Sequence, residues 1–74
     1  MVYPNPANEY VNVKSDYNIS KVEVLNFIGQ SVYAVNAADA KQVRINTTSL
    51  QAGVYFVRIN TNEGTRTVKI TIVR

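Results

Sequence analysis

The stretch Gly53-Val54-Tyr55-Phe56-Val57-Arg58-Ile59 decides the fold. A glycine opens it, β-branched and aromatic residues fill it, and apolar side chains fall on both parities, which is the composition of a strand. Tyr55, Val57 and Ile59 share one face, because successive strand residues point to opposite sides. Further along, Val68, Ile70 and Ile72 share one face of a partner strand, and the two strands form a hairpin. The six side chains lie on the same side only if odd positions meet even ones. A two-residue loop at Glu63-Gly64 does this, placing Ile59 opposite Val68 and Val57 opposite Ile70. A three-residue loop, Asn62-Glu63-Gly64, would set Val57 against Lys69 unless a bulge at Gly64 restores the phase. The favoured register turns Val54, Phe56, Arg58 and Lys69 outward. Arg58 then faces Lys69, a like-charge pair that Glu9 or Glu23 could answer.

The rest of the chain has the same period. Val11 and Val13 point inward from Tyr10–Lys14, with Tyr10, Asn12 and Lys14 outward, and Val22 and Val24 point inward from Lys21–Phe27. Ile28-Gly29-Gln30 reads as a tight turn, since Gly29 tolerates the positive φ such turns need. Ser31–Val35 returns antiparallel, Asn36–Lys41 is a loop, Val43 and Ile45 alternate around Arg44, and Leu50 plugs the end of the core. No segment has a helical period, and Ala37–Lys41 is too short to hold a helix in water. The expectation is an all-β domain spanning residues 1–74: a small antiparallel sandwich of about six or seven strands, immunoglobulin-like in the loose sense. A small barrel of the same strands is the alternative.

With 74 residues the chain is a single domain near the small end of what folds alone. It has no cysteine and no histidine, which removes disulfide staples and the usual zinc ligands. Met1 directly before Val2-Tyr3-Pro4 reads as a start added to an excised piece of a longer protein. No apolar run reaches bilayer-spanning length, and no signal-peptide pattern opens the chain. The net charge of +3 comes from basic residues scattered along the strands; nucleic-acid binders concentrate such charge and interleave it with aromatics, so no nucleic-acid partner is expected.

The chain also lacks the residues of catalysis. Without an imidazole there is no hydrolase triad. The carboxylates Glu9, Asp16, Glu23, Asp39 and Glu63 fall in separate turns and outward positions, with no apolar pocket to shift a pKa. No calcium loop or glycine-rich phosphate loop occurs. No enzyme activity, metal or cofactor is therefore expected.

What remains are sites of recognition. Pro4-Asn5-Pro6 is stiff and extended, because each proline fixes its own φ and Pro6 restricts Asn5; it is either a rigid clamp at the domain edge or a recognised motif. Gly29 serves a turn, whereas turn chemistry does not require Gln30. Tyr55 belongs to the core if its hydroxyl finds a partner. Outward Val54 and Phe56 call for a covering loop, with Tyr3 and Pro4 the candidate cover, or else form an exposed interaction patch.

Taken in order, Tyr3-Pro4-Asn5-Pro6-Ala7, Phe27-Ile28-Gly29-Gln30 with Val32, Leu50-Gln51-Ala52-Gly53-Val54-Tyr55-Phe56-Val57-Arg58-Ile59 and Lys69-Ile70-Thr71-Ile72-Val73 resemble the type A C-terminal sorting domain of the type IX secretion system. The resemblance covers nearly the whole chain. It implies a β-sandwich at the C-terminus of secreted cargo, which crosses the inner membrane by a separate signal peptide. An outer-membrane translocon then recognises the domain, and a sortase-like surface peptidase removes it as cargo is attached to the surface or released. The residues it marks are Pro4, Asn5, Pro6, Gly29, Gln30, Gly53, Val54, Tyr55, Lys69 and Ile70, and outward Phe56 joins them as a candidate for translocon recognition. The linker that family members carry before the proline motif is missing here, so any cleavage site would lie upstream. Two other readings stay open. An adhesive or carbohydrate-binding module would line up Tyr10, Tyr17 and Tyr33 on one face, and a spacer between domains would bind nothing.

Overall fold

A computed structural model describes residues 1–73. Five strands make up the chain: β1 (Val2–Tyr3), β2 (Tyr10–Leu25), β3 (Ser31–Asn46), β4 (Gly53–Thr61) and β5 (Gly64–Ile72). All pair antiparallel within one sheet, ordered β1-β2-β4-β5 with β3 also on β2. No helix occurs among the described residues. The all-β antiparallel expectation therefore holds, but the strand number is five, not six or seven.

The count falls because two expected breaks are not breaks. Tyr10–Lys14 and Lys21–Phe27 are parts of one 16-residue strand, β2, which ends at Leu25. Ser31–Val35 and Val43–Ile45 are likewise parts of β3, and the expected Asn36–Lys41 loop stays in the strand. The polar run Ser15-Asp16-Tyr17-Asn18 looks like a loop because it breaks the apolar alternation. In the fold, β2 passes this run by register shifts between Lys14 and Lys21, while Ala38 and Asp39 on β3 take positive φ values of 50° and 65°. Such bulges bend a hairpin without ending it.

The bend curls the sheet. The first half of β2 lies between β1 and the end of β3, and its second half lies between the start of β3 and β4. Val11, Val13 and Ile45 from one half consequently share a core with Val22, Val24, Val57, Ile59, Ile70 and Ile72 from the other. Leu50 packs against this core as expected. Ile19 and Ala7, not foreseen as core residues, are fully buried. Asn12 corrects its outward placement: it is 6% exposed, and its Oδ1 accepts a 3.0 Å hydrogen bond from Arg44 Nε.

The last hairpin keeps its predicted faces in a shifted register. Its loop is Asn62-Glu63, and Val57 sits opposite Val68 with Tyr55 opposite Ile70. Thr61 sets this position. Its Oγ1 accepts from the Glu63 N–H and donates to the Gly64 carbonyl, both at 3.1 Å, closing the turn one residue earlier than the Glu63-Gly64 loop would. The slip is two residues, an even number, so the inward and outward sets are unchanged. Arg58 accordingly faces Thr67 rather than Lys69, and Glu23 on β2 pairs with it at 3.4 Å.

Candidate recognition surface

The proline-bracketed segment acts as a clamp on β5. Asn5 Nδ2 donates to the Lys69 carbonyl at 3.3 Å, and Asn5 Oδ1 accepts from the Thr71 N–H at 3.2 Å. The side-chain amide thus takes the place of a peptide group and adds one rung to the ladder. Two main-chain rungs continue it: Ala7 N–H to the Thr71 carbonyl at 2.8 Å, and Val73 N–H to the Ala7 carbonyl at 2.7 Å. Pro4 and Pro6, each preceded by a cis peptide bond, flank Asn5 and are exposed. This covers the outer edge of β5 from Lys69 to Val73.

Gly29 and Gln30 belong to a turn built around Asn26. Asn26 Oδ1 accepts from the N–H groups of Ile28 and Gln30 at 3.1 and 2.9 Å, and its Nδ2 donates to Gln30 Oε1 at 3.1 Å. The Asn26 N–H donates to the Gln30 carbonyl at 2.9 Å, and the Gly29 N–H donates to the Asn26 carbonyl at 3.0 Å. Gly29 has a φ of 88°, as a turn glycine should. Gln30, which simple turn chemistry left unexplained, holds the Asn26 carboxamide in place. The turn is thereby fixed by the Asn26 and Gln30 side chains and by main-chain groups. The side chains of Phe27 and Ile28 take no part in these bonds and stand 78% and 64% exposed.

β4 brings the third group. The Tyr55 hydroxyl donates to the Gln51 carbonyl at 2.8 Å, so this half-buried ring has the polar partner it needs. Gly53, Val54, Tyr55 and Phe56 lie opposite Ile72, Thr71, Ile70 and Lys69. Ile70 points into the core, and Lys69 is exposed. Of the candidate cover over Val54 and Phe56, Tyr3 pairs with Asn12 in β1, and Asn5, after Pro4, docks on β5. Val54 stays exposed and Phe56 half-buried.

The fold thus brings Asn5, Val54, Phe56 and Lys69 onto one hairpin, whereas Ile70 and Tyr55 serve the core beneath it. Leu25 pairs with Phe56, so the Asn26–Gln30 turn follows on at the same end of the sheet. Exposed Phe27, Ile28, Val32 and Val54 give that end an apolar rim. Phe27 and Ile28 were missed as site residues. The available signal was two large apolar side chains between Asn26 and Gly29, where turns favour small polar residues.

The tyrosines do not form a platform. Tyr33 is half-buried against the core, and the Arg44 guanidinium lies 4.4 Å from the centre of the Tyr10 ring. No cluster of acidic residues suited to a metal ion occurs among the described residues, and no described helix is long and apolar enough to cross a membrane. A family model described as a secretion system C-terminal sorting domain matches residues 1–73. No curated protein sequence matches the chain.

Proposed function

Since the chain belongs to the secretion system C-terminal sorting domain family, the sorting tails of type IX secretion, we propose that it is a non-catalytic address read by the outer-membrane translocon. In this reading the attached cargo reaches the cell surface or the medium through the periplasm. A sortase-like peptidase would separate the domain from cargo at the surface. The two halves of the curled sheet serve as the layers of an immunoglobulin-like sandwich, and all recognition happens on their outside.

The observation that carries the proposal is a family match running through the whole described chain rather than through one motif. In this reading the candidate residues divide by task. Asn5, held between Pro4 and Pro6, fastens the edge of β5. Gly29 and Gln30 shape the turn, and Gly53, Tyr55 and Ile70 support the last hairpin. This leaves Val54, Phe56 and Lys69, with Phe27 and Ile28 beside them, as the side chains available to the translocon. A rigid turn that presents large apolar groups loses little entropy on docking and suits an anchor role.

The test is a folded reporter carrying this domain at its C-terminus, expressed with its signal peptide in a bacterium that has the type IX machinery. The reporter is expected at the surface or in the medium. Retention in the periplasm, with the domain folded and intact, would refute the sorting reading.

A further inference from the structure

β3 has β2 along one side and no strand of the described chain along the other. The opposite edge of the sheet is treated differently. Asn5 and Ala7 cover β5 from Lys69 to Val73, and the uncovered start of that strand carries Arg66. β1 spans only two residues. The long open edge of this fold therefore belongs to β3, not to the C-terminal strand.

An open edge is a row of N–H and C=O groups at strand spacing, and another extended backbone is what satisfies it. Proteins blunt such edges with charges, prolines and bulges. Apart from a single-residue register shift at Val32, between Ser31 and Tyr33, β3 has these devices only in its second half, where Ala38 and Asp39 have positive φ and Lys41 and Arg44 follow. Ser31-Val32-Tyr33-Ala34-Val35-Asn36-Ala37 contains no charge and no proline. From Tyr33 to Asn36 its ladder with β2 runs without a shift.

The side chains also describe the occupant. Tyr33, Val35 and Ala37 pack on the core yet are only half-buried, because nothing lies beside them at the edge. A strand added there, apolar at every second residue, would complete their burial and continue the core face. A second copy of this domain is a poorer fit. Seven residues at about 3.4 Å each give an edge of about 24 Å, too narrow a contact for the roughly 1,200 Å² or more that stable protein pairs bury. A short extended segment that is captured and later released suits an edge of this size.

We propose that the Ser31–Ala37 edge of β3 receives an extended, alternately apolar segment of the export machinery as an added strand. The proposal rests on the sorting reading above. It places main-chain recognition on β3 and leaves the β5 edge to Asn5.

The test uses the exported reporter fusion and replaces exposed Val32 and Ala34 together with lysine, the residue natural edges use to repel an incoming strand. A control carries the same two charges at exposed Gln51 and Asn62. Export of the Val32→Lys/Ala34→Lys fusion should fall roughly fivefold or more, the order expected for denying a main-chain hydrogen bond or two. The control should export like the parent, and the melting temperatures of all three domains should agree. If the lysine pair lowers the melting temperature, Val32→Thr/Ala34→Pro and Val32→Thr/Val35→Pro replace it. Neighbouring amides point to opposite sides, so one of these prolines spares the β2 ladder, and that stable variant must lose export. Parent-like export from a stable edge variant overturns the β3 proposal while leaving sorting intact. Failure of the parent fusion to leave the cell overturns both. Concentration-dependent dimers abolished by the lysines, with export unchanged, would assign the edge to self-pairing and overturn the proposal as well.

Discussion

Asn5 sits on the surface, yet it completes the edge of a strand that supplies two core residues. Its carboxamide presents a donor and an acceptor in the geometry of a peptide group, one to the Lys69 carbonyl and one to the Thr71 N–H. Asn5→Ala removes both bonds at a site that water can reach, so the unmet groups are partly rehydrated. The expected loss is about 1–2 kcal/mol, the value of two ordinary hydrogen bonds, measured by urea denaturation. Asn5→Asp keeps the acceptor for Thr71 but opposes the Lys69 carbonyl with a carboxylate, and should not recover the lost stability. Phe27 and Ile28 present the opposite case. With Met1 they are the most exposed large apolar residues, and the turn is held by the Asn26 and Gln30 side chains and by main-chain groups, without the side chains of Phe27 and Ile28. Phe27→Ser/Ile28→Ser should leave stability within about 0.5 kcal/mol of the parent. Export of a reporter fusion should nevertheless drop. A variant that is fully stable and fully exported would remove this pair from the recognition surface.

The elements show where reading from sequence stops. Val57, Ile59, Ile70 and Ile72 were legible because alternation alone assigns their face, and an even register slip cannot change that assignment. The slip itself was not legible: it depends on the Thr61 hydroxyl bonding Glu63 and Gly64, a local contact with no periodic signature. Similarly, Ser15–Asn18 and Asn36–Lys41 have the composition of loops. They remain in strands because they lie beside each other at the bend of one long hairpin, a long-range fact that neither segment contains. The clamp was legible only as stiffness; that Asn5 spends its side chain on β5, sixty-odd residues away, required the fold. Two tests belong at this scale. Thr61→Ala should cost about 1 kcal/mol through loss of the turn's side-chain bonds. Ala38→Gly should stabilise by about 0.5–1 kcal/mol, since a left-handed conformation strains alanine and not glycine, less the added chain entropy. Equilibrium denaturation checks both.

Over the whole molecule, the curl decides how stability is shared. Val13 belongs to the half of the sheet with β1, and Ile70 to the far hairpin, yet both are fully buried in one core. The Ala7–Ile72 bridge ties the chain before β2 to the end of β5. A chain of 74 residues at typical marginal stability has only about 4–11 kcal/mol in total, too little for either half to survive without the other. Val13→Ala and Ile70→Ala remove methyl groups from opposite halves, and should cost about 1–3 and 2–5 kcal/mol respectively. Each should lower one common transition instead of producing a second one. Hydrogen exchange gives the sharper test. The most protected amides of β2 near Val13 and of β5 near Ile70 should open with the same free energy, and either substitution should reduce both equally. If Val13→Ala loosened only β1 and the first half of β2 while the β4–β5 hairpin kept its protection, the halves would be separate folding units. A translocon reading features from β3 to β5 would then face a domain that need not be folded as one piece, whereas a single cooperative unit presents the turn, the open edge and the clamped hairpin together or not at all.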